Sequence, residues 1–190
     1  MKPKLKLLTL FTLLTSTTYA HQIGGNGISS GLSHPFGLDH LLAMVAVGII
    51  STQIGGKAIW RIPATFVSFM IIGGILGMLN FALTVAETGI ALSVLFLGIA
   101  ITLSKKIPMT WAIASTAFFA MFHGHAHGAE MPQITNPSLY IAGFVFTTTI
   151  LHISGVLIGH YAKKTNITSL LLKYTGAGIT FAGLFFLLGL

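Results

Sequence analysis

Three imidazoles and a carboxylate close an apolar stretch in the run Phe122-His123-Gly124-His125-Ala126-His127-Gly128-Ala129-Glu130. On a helix turning about 100° per residue, His123 and His127 lie about 40° apart, and Glu130 falls about 20° to the other side of His123. The three share one face. His125 sits about 200° round from His123 and points the opposite way, unless the helix unwinds at Gly124 or Gly128. An i, i+4 histidine pair on one face is a common way of chelating a transition metal.

A second group, His34-Pro35-Phe36-Gly37-Leu38-Asp39-His40, precedes another apolar stretch. Pro35 suits the first turn of a helix, where its missing N–H is no loss. Asp39 and His40 follow about one turn inside, and Met44 shares the face of His40. The chain has three acidic residues in all, and Asp39 and Glu130 both lie beside histidines. A divalent metal accounts for that pairing. With no cysteine present, its ligands must be imidazole, carboxylate, thioether or backbone oxygen.

The elements that must position these groups are transmembrane helices. A 190-residue chain with 54% hydrophobic and 7% charged residues is a membrane protein, because so little charge leaves no polar shell for a soluble domain. Residues 1–20 read as a cleavable signal peptide: Lys2, Lys4 and Lys6, a short apolar core, then Thr18-Tyr19-Ala20 as a small-x-small cleavage site. The mature chain, residues 21–190, then begins at His21, whose amine and imidazole together form a potential chelate. After a Gly- and Ser-rich connector, 22–33, six spans are expected near 35–53, 63–83, 89–103, 110–129, 138–160 and 170–188. Gly73-x-x-x-Gly77 and Gly155-x-x-x-Gly159 mark close helix contacts.

Charge orients the spans. With the new N-terminus outside, the first, third and fifth connections carry Lys57 and Arg61, then Lys105 and Lys106, then Lys163, Lys164 and Lys173. Those are all the basic residues of the mature chain, and the two outer connections carry Glu87 and Glu130 instead. This is the positive-inside pattern, with both termini periplasmic. The net charge of +7 is therefore a topology signal and points to the bilayer, not to nucleic acid. Both histidine groups fall in the outer part of the membrane, which argues for one shared site. His152, inside the fifth span, either bonds to a backbone carbonyl at a helix interface or stands on the pathway. Glu87 reads as a solvated loop carboxylate.

The sequence resembles the HupE/UreJ family of membrane proteins, regarded as nickel or cobalt permeases that accompany hydrogenases and ureases. The family's fourth-span pattern F-H-G-x-[AV]-H-G-x-E is met from Phe122 to Glu130, and its first-span pattern H-P-x-x-G-x-D-H stands one residue shorter as H-P-F-G-L-D-H. The resemblance implies that Asp39, His40, His123, His127 and Glu130 are functional, with His125 at a variable position. If the shortened segment is helical, losing a residue turns His34 by about 100°; if it is extended, the change is harmless.

The reading that follows is a permease of the bacterial inner membrane importing a divalent transition metal. Nickel is the first choice on the resemblance, with cobalt and zinc as alternatives, no prosthetic group, and a link to nickel-enzyme maturation. Imidazole must be neutral to bind, so uptake should weaken as histidine protonates near pH ~6. Two other classes stay open. One is a membrane-embedded zinc hydrolase with Glu130 as base, although H-E-x-x-H is absent. The other is a metal sensor or store without flux.

Overall fold

The computed structural model describes residues 27–105, 107–132 and 136–189. The signal segment, His21 and Lys106 lie outside them. The described residues form helices and no strand: α1 (Gly27–Ser33), a 3-10 turn (His34–Phe36), α2 (Leu38–Ile54), α3 (Ala58–Met78), α4 (Ala86–Leu103), α5 (Met109–Ala129), α6 (Pro137–Ala162) and α7 (Asn166–Leu187).

Helices α3, α4, α6 and α7 are each long and apolar enough to cross a membrane, and α1 with the 3-10 turn and α2 makes a fifth candidate, bent by 76°. Helix α5 reaches 21 residues without Asp, Glu, Lys or Arg, but its last two turns hold three histidines and lower its hydropathy. It is the one long helix whose composition alone does not mark it as a span. The bundle's outer surface is rich in large apolar side chains, with Phe69, Phe96, Phe118, Phe146 and Phe181 all exposed. Water would not tolerate so large a continuous apolar surface, and lipid does.

Three boundaries differ from the sequence expectation. The 22–33 connector contains α1, which packs on α6, with Gly31 against the Tyr140 carbonyl and Gly143. The second long helix starts at Ala58, so Arg61 lies inside it and Pro63 is its sixth residue, where the missing N–H forgoes one bond to the Ile59 carbonyl. The last helix starts at Asn166 because Thr165 and Thr168 form a reciprocal cap: each side chain accepts from the other's backbone N–H. Lys173 is therefore inside α7. By contrast, α6 starts at the expected place, where Asn136 accepts from the N–H groups of Ser138 and Leu139 and Pro137 occupies the first turn.

The long helices pair closely, α3 with α5, α2 with α6 and α4 with α7. Glycine makes the first two contacts possible. A Cβ on Gly124 would overlap the Met70 carbonyl, and one on Gly48 would overlap that of His152. At one end of the bundle the Gln53 amide donates to the Ile101 carbonyl at 3.3 Å, Lys163 donates to the Thr52 carbonyl, and the Thr102 hydroxyl donates to that of Lys173 at 3.4 Å. That end gathers Lys57, Arg61, Lys105, Lys163 and Lys164. It also carries both tryptophans, Trp60 and Trp111, exposed at 61% and 72%, with Arg61 over the Trp60 ring. Aromatic and basic side chains together suit a membrane–water interface. The opposite end holds Asp39, Glu87 and Glu130.

Candidate functional site

Four imidazoles from three segments meet at the acidic end. The His34 ring lies 4.5 Å from His127 and 6.1 Å from His40, centroid to centroid. His40 in turn lies 4.6 Å from His127 and 4.9 Å from His123. The α5 face is the one helical phase requires: His123 and His127 point inward, while the His125 Nε2–H donates at 2.6 Å to the Phe81 carbonyl, away from the cluster. Helix α5 does not unwind at Gly124 or Gly128.

His34 joins because the chain bends. The 3-10 turn ends at Gly37, whose backbone is extended (φ −50°, ψ 135°), and the 76° bend there swings His34 back over the start of α2. Its Nε2 stands 3.3 Å from Glu130 Oε2. The shortened first motif is thus neither a continuous helix nor a plain extended segment, and His34 reaches the site.

Hydrogen bonds set which nitrogen each ring leaves free. The His40 Nδ1–H donates at 2.9 Å to Asp39 Oδ1, a carboxylate oxygen that also accepts the His40 backbone N–H at 2.8 Å. The lone pair is therefore on Nε2. The Ser93 hydroxyl donates to the Ile90 carbonyl at 2.7 Å, so its oxygen accepts the His123 Nε2–H at 2.8 Å, which leaves the lone pair on His123 Nδ1. His127 stacks on Phe144 at 5.1 Å and 9°, and the Tyr140 hydroxyl donates to its carbonyl at 2.9 Å. His40 Nε2, His123 Nδ1 and both His127 nitrogens are buried without a hydrogen-bond partner. Buried polar atoms are nearly always paired, and each unpaired one costs about 1–3 kcal/mol.

Among the described residues no group of three or more His, Asp or Glu side chains is arranged to hold a metal ion as it stands. The rings pack mostly edge to face. What the arrangement offers is a cluster of imidazoles beneath carboxylates, with the tautomers of His40 and His123 set by their hydrogen bonds.

Of the other candidates, Met44 is wholly buried one turn below His40, and its carbonyl accepts the His152 Nδ1–H at 2.9 Å. Glu87 departs from the sequence expectation, and Ser93 escaped it. Glu87 is not in a loop but in the first turn of α4, within electrostatic reach of Asp39, Glu130 and His40. All three carboxylates of the chain thus surround one site. Ser93 carries no sequence signal, since a lone serine in an apolar helix ordinarily bonds only its own preceding turn. Ser93→Ala should release the His123 tautomer and weaken metal binding about tenfold, as loss of a ligand-orienting partner does. Nickel titration of the purified variant checks this, and unchanged affinity would remove Ser93 from the site.

The sequence profile described as HupE / UreJ protein matches residues 8–186. Protein HupE of Rhizobium leguminosarum bv. viciae is 40% identical over 190 residues, covering 97% of this chain and 98% of that protein. No solved structure matches the chain.

Proposed function

Since the chain belongs to the HupE/UreJ family, we propose that it is a permease importing a divalent transition metal, nickel first and cobalt second, across the bacterial inner membrane. The observation that carries this reading is the set of buried, unpartnered nitrogens on His40, His123 and His127. Buried polar atoms are costly to leave unpaired, and neutral imidazole is a good ligand for these metals.

The sequence of events follows from charge and depth. Asp39, Glu87 and Glu130 attract the cation from outside. His34 stands nearest Glu130 and packs on His127, and His40 and His123 follow through their ring contacts. Turning these rings onto an ion breaks no hydrogen bond at His127, so the site can close on its cargo cheaply. In this reading α5 crosses the membrane with the five apolar spans, both termini face outward, and the basic, tryptophan-bearing end faces the cytoplasm. Inward movement of a divalent ion gains about 4.6 kcal/mol per 100 mV, twice the single-charge value, enough to drive uptake without a nucleotide.

Metal flux into sealed proteoliposomes tests the reading. We expect saturable nickel entry that rises with an inside-negative potential. Stoichiometric binding with no entry at any potential would replace the permease by a metal sensor or store, and product formation dependent on bound zinc would replace it by a hydrolase.

A further inference from the structure

Below the outer histidines one more imidazole is buried with a nitrogen to spare. His152 on α6 is 2% exposed, and its Nδ1–H donates to the Met44 carbonyl. That bond leaves the lone pair on Nε2, which is buried and has no hydrogen-bond partner. The same device sets the tautomer of His40, where the acceptor is Asp39. An imidazole that served only to join α2 to α6 would need Nδ1 alone, and that bond does not account for the second buried nitrogen.

Its depth follows from the helix directions. Helices α2 and α6 both enter from the acidic end. Phe144 stacks on His127, and Thr148 and His152 follow on the same face of α6 at successive turns. His152 therefore lies about 12 Å further along the axis than Phe144. The Phe66 ring stands between the two levels, 5.4 Å from His123 and 5.0 Å from His152. Thr148 lies one turn before His152 on α6. The Thr148 hydroxyl donates to the Met70 sulfur at 3.7 Å, and Met44 and Met70 are both wholly buried.

We propose that His152 is a second, deeper metal station, which receives the ion from His123 past Phe66 on its way to the basic end. The assignment rests on the permease reading. One strong ligand with no carboxylate bonded to it binds loosely, which suits a position that must release its ion inward. The outer site, richer in imidazole and carboxylate, sets affinity, and His152 sets the rate of passage.

His152→Asn separates this role from a structural one. Asparagine places an N–H where Nδ1 stood and can keep the bond to the Met44 carbonyl, but it has no Nε2. In proteoliposomes, maximal nickel uptake should fall at least about tenfold, while half-saturation and equilibrium nickel binding stay within about twofold of wild type, as loss of a step beyond the binding site requires. Wild-type rates in the variant would make His152 a helix-joining residue and overturn the station alone. Binding and rate falling together would place His152 in the outer site, which also overturns it. Wild-type vesicles without uptake would overturn the permease reading, and the station with it. Should the variant fail to insert, wild-type protein carrying 15N-labelled histidine decides: a His152 Nε2 resonance unmoved and unbroadened at saturating nickel excludes the station.

Discussion

His127→Phe should abolish nickel uptake and yet yield a metal-free protein at least as stable as wild type. The imidazole is wholly buried, stacks flat on Phe144 and packs between His34 and His40. A phenyl ring fills nearly the same space and keeps the stack. It removes two buried nitrogens that make no hydrogen bond, and with them a desolvation cost of about 1–3 kcal/mol each. Thermal unfolding in detergent should therefore show a metal-free midpoint equal to or above that of wild type. Nickel at a hundred times its dissociation constant should stabilise wild type by about 2.7 kcal/mol, and the variant not at all. A variant that still transports, or that melts well below wild type, would mean His127 is a structural residue and not a ligand.

Gly124→Val should do the reverse, and destroy the assembly without touching a ligand. Helices α3 and α5 approach through glycine on both sides. Gly124 faces the Met70 carbonyl, Gly128 that of Gly74, Gly73 that of Met121 and Gly77 that of His125. Every one of these neighbours is backbone, so no side chain can turn aside to admit an isopropyl group. In lipid no hydrophobic effect presses helices together, and close van der Waals packing of small residues supplies much of the association. Separating α3 from α5 also draws Phe66 and Met70 out of the core and moves His123 and His127 away from His40. Uptake should fall more than a hundredfold, with aggregated protein on size exclusion. Gly178→Val is the control, because nothing lies within 4 Å of a Cβ there, and it should behave as wild type. A monodisperse, active Gly124→Val protein would show that the α3–α5 contact tolerates separation.

The inner face of α5 was legible before any coordinates, because the angle between His123 and His127 is a property of one helix, and so was the outward turn of His125. The apolar stretches and the segregation of Lys and Arg from Glu87 and Glu130 are likewise local, written in residue type and order. Helix ends were less legible. The expected second span opened at Pro63, whereas α3 begins at Ala58 and runs through the proline at the cost of one hydrogen bond. The Thr165–Thr168 cap moved the start of α7 ahead of Lys173: short polar side chains signal several possible ends, and packing selects one.

Tertiary structure decided how His34, Glu87 and Ser93 join the site. His34 reaches His127 only through the bend at Gly37, and spacing along the chain does not state the direction of a bend. Ser93 and Glu87 come from α4, far from either motif in sequence, and contribute because α4 packs beside α2 and α5. Tertiary contacts also decide which imidazole nitrogen is free, through a carboxylate at His40, a hydroxyl at His123 and a carbonyl at His152. A histidine in a sequence has two equivalent claims to a proton, and only the neighbour that accepts it settles which nitrogen is left to bind.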